Sequence, residues 1–248
     1  MIVLAAAAHP DDIEFMMAGT LLRLKGAGCE IHLWNLADGC CGSNVLSREE
    51  AAAVRWEEAK ASAASAGGTA QPTLFHDLEI FYDQVSLAKV AAVLRRIQPD
   101  IILTQSPQDY MEDHQNTARL VVSAAFTRGM NNFPTDPAAA PYDKPVALYH
   151  ALPHGLKDAL RQPVEPHFFT DITSVLSGKR AMLACHVSQK QWLDETQGMD
   201  AYLDEMERMS AEVGRMSGQY EFAEGWRRHS HLGFGPEDFD PIADLLKT

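Results

Sequence analysis

Ile2-Val3-Leu4-Ala5-Ala6-Ala7-Ala8-His9-Pro10-Asp11-Asp12-Ile13-Glu14 opens the chain with an apolar run that breaks off abruptly into polar residues. Such a run reads as a buried strand that delivers its C-terminal end to a polar site. Pro10 disfavours the helical conformation at His9 and restricts its own backbone, so the turn is stiff. Asp11 or Asp12 is expected to cap the following helix, read over Met16 to Ala27. In open α/β sheets, ligands lie beyond the carboxyl ends of the strands. One imidazole and two carboxylates at such an end concentrate groups suited to metal binding and acid/base work.

The same design recurs in mid-chain. Asp100-Ile101-Ile102-Leu103-Thr104 reads as a buried strand, Gln105 to His114 as a proline-containing turn with acids and a histidine, and the residues from there to about Gly129 as a helix. Between the two copies lie a strand over Glu30 to Leu36 and the loop Asp38-Gly39-Cys40-Cys41-Gly42-Ser43-Asn44, which either lines the site or is a plain connection. The capping box Ser47-Arg48-Glu49-Glu50 then opens a helix to about Ala66. Thr73-Leu74-Phe75 is expected as a strand and Leu87 to Ile97 as a helix. Strands alternating with helices at this spacing indicate βαβ units and a largely parallel sheet. Further on, residues 131–145 form a proline-rich loop, Val146 to Leu152 and His167 to Phe169 two strands, and Asp171 to Ala184 a capped helix. Gln189 to about Val213 reads as a helix or helix pair, and the tail from Tyr220 to Thr248 has no assignable pattern. The whole, 1–248, is expected to be one domain, with a motif-bearing core over about 1–190.

Composition narrows the function. A formal charge of −13 disfavours nucleic acid and anionic membranes as main partners. Four cysteines in so long a chain are no disulfide framework, and reduced thiols in a cytoplasm are expected. The start lacks the basic segment of a signal peptide and is too short to span a membrane.

His9, Asp12 and His114 supply three metal ligands of the kinds that hold hydrolytic zinc, leaving a position for water. Asp11, off the metal but beside it, is placed as a general base. Asp113 reads either as a carboxylate orienting a ligand imidazole or as a helix N-terminal acid, and Glu14 has the same two readings. Arg55 and Glu58, on the Ala-rich helix, are by default solvated. The four tryptophans, and the methionines at 16, 17, 199, 206, 209 and 216, are expected to pack in the core rather than meet substrate. The residues alone describe a metal-dependent hydrolase; a nucleotide-binding module is disfavoured because no Gly-x-Gly-x-x-Gly follows the first strand.

Ala8-His9-Pro10-Asp11-Asp12-Ile13-Glu14 with Gly19-Thr20 resembles the signature of the PIG-L/LmbE-like deacetylase family. Asp109 to His114 resembles its second motif, Arg55-Trp56-Glu57-Glu58-Ala59 its Arg-x-x-Glu-Ala helix, and His186-Val187-Ser188-Gln189 its late His-x-Ser-Gln. The resemblance implies a Rossmann-like three-layer α/β/α fold and zinc-dependent removal of an N-acetyl group from an N-acetylglucosamine-type sugar. It implies His9, Asp12 and His114 as zinc ligands, Asp11 as base, Arg55 as a substrate-binding residue, His186 near the site, and a homo-oligomer (trimer or hexamer). Other first-row divalent metals also suit this donor set.

One position departs from the pattern. Many members carry an oxyanion-stabilising histidine where this chain has Met111, which donates no hydrogen bond. His186 is the first candidate to replace it, followed by His76, His150, His154 or a neighbouring subunit. Two rival functions follow: an amidase acting on thiol–sugar conjugates, and a metal-containing sugar-binding protein with lost catalysis.

Overall fold

A computed structural model describes residues 1–189 and 202–246. Strand β1 (Ile2–Ala7) lies inside a seven-stranded sheet, at the centre of its five parallel strands, flanked by β2 (Glu30–Asn35) and β4 (Ile101–Thr104). Outside these lie β3 (Thr69–Gln71) and β5 (Ala147–Ala151), and all five strands are parallel. Strand β6 (Phe168–Asp171) forms the far edge, and β7 (Ala223–Arg228) lies between it and β5, antiparallel to both.

The unbroken apolar run of β1 is explained by burial on both faces. Val3, Ala5 and Ala7 pack with α2 (Ala18–Gly26), α3 (Arg48–Ser65), α6 (Leu176–Leu183) and α8 (Pro241–Leu246), through Leu21, Ala63, Met182 and Ile242. Leu4, Ala6 and Ala8 pack against α4 (Gln84–Ile97) and α5 (Glu112–Phe126), through Val90, Leu94, Leu120 and Val121. The result is the expected three-layer α/β/α fold with a mostly parallel sheet. Because β1 connects toward β2 on one side and β4 lies on its other side, the strand order reverses between β1 and β4. A crevice opens there beyond the carboxyl ends.

Several local expectations need correction. The first helix is split into α1 (Asp12–Met16) and α2, with Met17 between them at φ −134°. The break lets the amides of Gly19 and Thr20 donate to the buried Glu224 carboxylate at 2.8 and 2.7 Å. Asp11 occupies the N-cap position, yet its side chain makes no capping bond. Residues 73–75 form no strand; the edge strand is β3, and Pro72, which has no N–H to donate, follows it. Ala37 and Phe75 share only an isolated bridge. Helix α4 starts at Gln84, capped by the Asp83 carboxylate, which accepts from the Ser86 amide at 2.7 Å. The segment after β6 is a short 3-10 turn, Thr173–Val175, followed by α6. Tyr202–Ser217 form helix α7; the earlier part of that expected helix, with Trp192 and Met199, lies outside the described residues. The tail without an assignable pattern supplies β7 and α8.

Arg55 is buried, contrary to a solvated role. Glu58 accepts from the Ser188 amide and hydroxyl at 2.8 and 2.6 Å, tying α3 to the residues after α6. Trp34 and Trp226 are core residues, as are Met206 and Met209, whereas Met216 is 38% exposed. All four cysteines are free. No helix among the described residues is long and apolar enough to cross a membrane.

Candidate metal centre and active site

The turn after β1 and the start of α5 meet in the crevice. His9 Nε2 donates to Asp113 Oδ2 at 2.9 Å, which turns Nδ1 toward Asp12 Oδ2 at 3.5 Å. His114 Nδ1 is 3.0 Å from Asp109 Oδ1, and its Nε2 faces the same Asp12 oxygen at 3.4 Å. Each imidazole thus keeps one nitrogen on a carboxylate and presents the other to a common point, the arrangement of carboxylate–histidine–metal triads. Two further amides fix Asp12, since its Oδ2 accepts from the His9 N–H at 2.8 Å and from Gln105 Nε2 at 3.0 Å.

The spacing tests whether a cation fits. Ligand atoms about 2.0–2.2 Å from zinc at tetrahedral angles lie roughly 3.3–3.6 Å apart. The gaps of 3.5 and 3.4 Å around Asp12 match this, and are longer than a good N–H···O bond. The ligand atoms of His9, Asp12 and His114 all lie within 4.8 Å of one another. The donor set and its spacing fit a zinc-class divalent ion.

The electrostatics favour the same occupant. Burial opposes charge on His9, but Asp113 and Asp12 outweigh it and push its pKa up to about 10. His114 is also raised, burial being overcome by Asp12 and Asp109. Asp12 is held well below the usual carboxylate range, where His114 and His9 outweigh its burial. Two imidazoles that hold protons this strongly mark a site of deep negative potential, which a metal ion fills by displacing those protons.

Asp11 lies beside this point with φ 106°, a left-handed conformation uncommon for a non-glycine residue. That backbone turns the carboxylate away from the helix cap and into the cavity wall, where Tyr202 Oη donates to Oδ2 at 2.7 Å and Arg55 Nη2 lies 3.8 Å away. Burial and neighbouring Asp12 raise the Asp11 pKa to about 6 against the pull of Arg55. Arg55 also donates to the carbonyls of Pro10 and of Gly39, the latter at 3.3 Å. The guanidinium runs so close to the 39–42 loop that a Cβ at Gly39 would lie 2.5 Å from Arg55 Cδ, and one at Gly42 2.7 Å from Nη1. Those glycines are there to let the arginine pass.

His186 is not brought into the cavity. It lies behind Asp11, fully buried, with Nε2 3.2 Å from Glu14 Oε1. Burial disfavours its charged form, but Glu14 and Asp11 hold its pKa above the ordinary value. Glu14, which also accepts from Ser62 Oγ, is therefore a partner of His186 rather than of a metal ligand. Asp113 takes the orienting position, and its Oδ2 also accepts from the Leu78 amide at 2.7 Å.

The cavity over the site has a volume of about 500 Å³ and is lined by Phe15, Tyr110, His154 and Tyr202 besides the residues above. Of the histidines considered as replacements at position 111, only His154 lines it. His76 pairs with Asp38 at the surface, and His150 bonds the Gln105 carbonyl on the far side of β4. Met111 itself lies in the lining. Asp109, Gln105 and Tyr202 carry no role in the sequence reading, whereas His154 is one of the candidates for position 111. Asp109 carries a local signal, since a carboxylate five residues before a ligand histidine reaches back across the first turn of α5; Tyr202, remote in the chain, carries none.

The family sequence model described as GlcNAc-PI de-N-acetylase (PIG-L) matches residues 4–125. The diacetylchitobiose deacetylase of Thermococcus kodakarensis is 29% identical over 232 residues, covering 91% of this chain and 82% of that protein. The 4-oxalmesaconate hydratase of Pseudomonas putida is 26% identical over 202 residues, covering 75% of this chain and 73% of that one. Among solved structures, the N,N'-diacetylchitobiose deacetylase of Pyrococcus horikoshii superposes with a TM-score of 0.77 at 24% identity, covering 97% of this chain and 88% of that chain. This last likeness concerns the fold.

Proposed function

The chain belongs to the PIG-L/LmbE-like deacetylase family, and on that premise we propose that it is a metal-dependent N-deacetylase acting on a small N-acetylglucosamine-type sugar. The observation that carries this reading is the pair of 3.5 and 3.4 Å gaps around Asp12, with the Asp11 carboxylate beside them in the cavity wall. His9, Asp12 and His114 would hold the ion. A zinc-class cation there would supply Lewis acidity and lower the pKa of water beside it.

The chain's own groups do the rest. Asp11, steadied through Oδ2 by Tyr202, accepts one proton of the attacking water as its oxygen adds to the acetyl carbon. When the carbon–nitrogen bond breaks, Asp11 passes that proton to the departing amine, so a neutral amine leaves together with acetic acid, which gives up its remaining proton to solvent. His154, the one imidazole in the lining that neither holds the ion nor is bound to a carboxylate among the described residues, donates to the developing oxyanion in place of the missing histidine at 111. Arg55 keeps Asp11 oriented and borders the substrate. Phe15 and Tyr110 offer ring faces to a sugar.

A hydratase reading has the Pseudomonas relative in its favour. The cavity argues against it. Asp11, Asp12, Asp77 and Asp109 line it, and Arg55, engaged with Asp11 and two carbonyls, is the one Lys or Arg side chain among the described lining residues. A neutral amide suits that wall better than a carboxylate-rich alkene. The amidase on thiol–sugar conjugates differs only in substrate, and the sugar-binding alternative predicts affinity without turnover.

Amine release from a panel of N-acetylated amino sugars decides among them, using zinc-loaded, chelated, Asp11→Asn and His154→Ala protein. Release that needs metal, disappears in Asp11→Asn and falls about 10²–10³-fold in kcat for His154→Ala is the expected outcome. Water addition to an unsaturated carboxylate without amine release would replace this reading with the hydratase one. Binding without release would favour the sugar-binding alternative.

A further inference from the structure

A second group of metal-ligating side chains lies outside the His9–Asp12–His114 centre, on the loops that follow β2 and β3. The two loops run side by side: the Asp38 amide donates to the Phe75 carbonyl at 3.1 Å next to the Ala37–Phe75 bridge. Asp77 then clamps them, accepting from the Gly39 and Cys41 amides at 2.7 and 2.9 Å. Gly39, at φ 77°, makes the turn that brings Cys40 back over Asp38. In consequence, ligand atoms of Asp38, Cys40 and His76 lie within 4.8 Å of one another.

We propose that Asp38, Cys40 and His76 form a second cation site, for a thiophilic divalent ion of the zinc class. The donor set is a thiol, an imidazole and a carboxylate, which suits zinc and disfavours magnesium or calcium. The backbone around it is already fixed by Asp77, so little ordering is needed on binding. His76 is exposed and opens the site to solvent, leaving the fourth position to water, whereas Cys40 is buried. Without an ion, His76 Nδ1–H donates to Asp38 Oδ2 at 2.6 Å; a cation takes the place of that contact and of the thiol proton. Burial pushes the Cys40 thiol up to about 11 against the pull of Arg48, which is paired with Glu79 at 3.0 Å, so the cation itself must displace the thiol proton.

Occupancy would be felt at the first centre. The Gly39 carbonyl accepts from Arg55, and the Leu78 amide, two residues beyond His76, holds the Asp113 carboxylate that orients His9. An ion bridging residues 38–40 to 76 ties together the two loops that carry these contacts.

Cobalt(II) separates the two sites, because the first has no sulfur ligand. Full-length protein, kept reduced, is loaded with cobalt(II) and followed by metal content and by near-ultraviolet thiolate-to-cobalt charge transfer. The expected result is two ions per chain with a charge-transfer band. Cys40→Ser and His76→Ala each lose the second ion and with it the band, and Cys41→Ser keeps both. Using both Cys40→Ser and His76→Ala guards against one variant failing to fold. A single ion per chain with no band in the wild-type protein overturns the proposal, as does a band that survives Cys40→Ser.

Discussion

At the scale of single residues, the candidate metal centre depends on which nitrogen each imidazole offers. Asp113 takes His9 Nε2 and Asp109 takes His114 Nδ1, so the free nitrogens differ between the two rings yet converge on Asp12. Removing either carboxylate leaves the ligands in place but frees a ring to turn. Asp109→Ala and Asp113→Ala are therefore each expected to weaken zinc binding by about 10–100-fold. Competition against a chelating indicator measures this, and affinity unchanged in both variants would mean that the carboxylates serve only the helix terminus. Asp12 and the two histidines stand out in the sequence as candidate ligands because ligand types at strand ends are a local signal. Asp109 was within the same quoted motif, but its role depends on a rotamer that spacing does not specify.

Among the elements, the tail strand β7 explains the split helix at the site. Glu224 enters from β7 to accept the first amides of α2 and pairs with Lys179 of α6 at 2.7 Å, both side chains being almost wholly buried. Trp226 of the same strand donates from Nε1 to Thr20 Oγ1 at 3.0 Å. One strand thus anchors α2 and α6 to the sheet, which holds the turn carrying His9 to Asp12. Removing one member of a buried ion pair strands the other charge, so Lys179→Ala is expected to destabilise the fold by roughly 3–5 kcal/mol. Urea unfolding measures it; a loss as small as a surface pair's, at most about 1 kcal/mol, would show that water reaches Glu224. The double change Lys179→Met with Glu224→Gln is expected to cost less than Lys179→Ala, because no charge is left buried alone.

For the molecule as a whole, acid stability is set in part by a histidine pair away from the metal centre. The Gln105 carbonyl can only accept, so His150 Nδ1 carries the proton of that 2.8 Å bond, and Nε2 accepts from His229 Nδ1 at 3.0 Å. Burial, with His229 and Arg227 nearby, pulls the His150 pKa down to about 4, while the Gln105 carbonyl pulls the other way. The unfolded chain takes up that proton near the ordinary value of about 6.5. Stability is therefore undiminished by His150 above that pH, falls as pH drops toward about 4, and levels off below. Over that window the loss from this residue is about 3 kcal/mol. Denaturation midpoints measured from pH 7 to 4 are expected to fall less steeply for His150→Leu than for the wild type, and equal slopes would assign the acid sensitivity elsewhere.

The sequence by itself determined the alternation of strands and helices through the parallel half, apart from the place of β3, and pointed to the two turns that carry the candidate ligands. Apolar run lengths, capping residues and ligand types act within a few neighbours and need no knowledge of the rest. Tertiary structure alone decided the burial of Arg55 against glycines 39 and 42, the retreat of His186 behind Asp11, and the arrival of Tyr202, His154 and β7. Each of these follows from contacts between segments distant in the chain: Tyr202 reaches Asp11 across 191 positions and Glu224 reaches Gly19 across 205. Local periodicity carries no record of such pairings, because their energy comes from desolvation and hydrogen bonding that exist only once the sheet has brought the segments together.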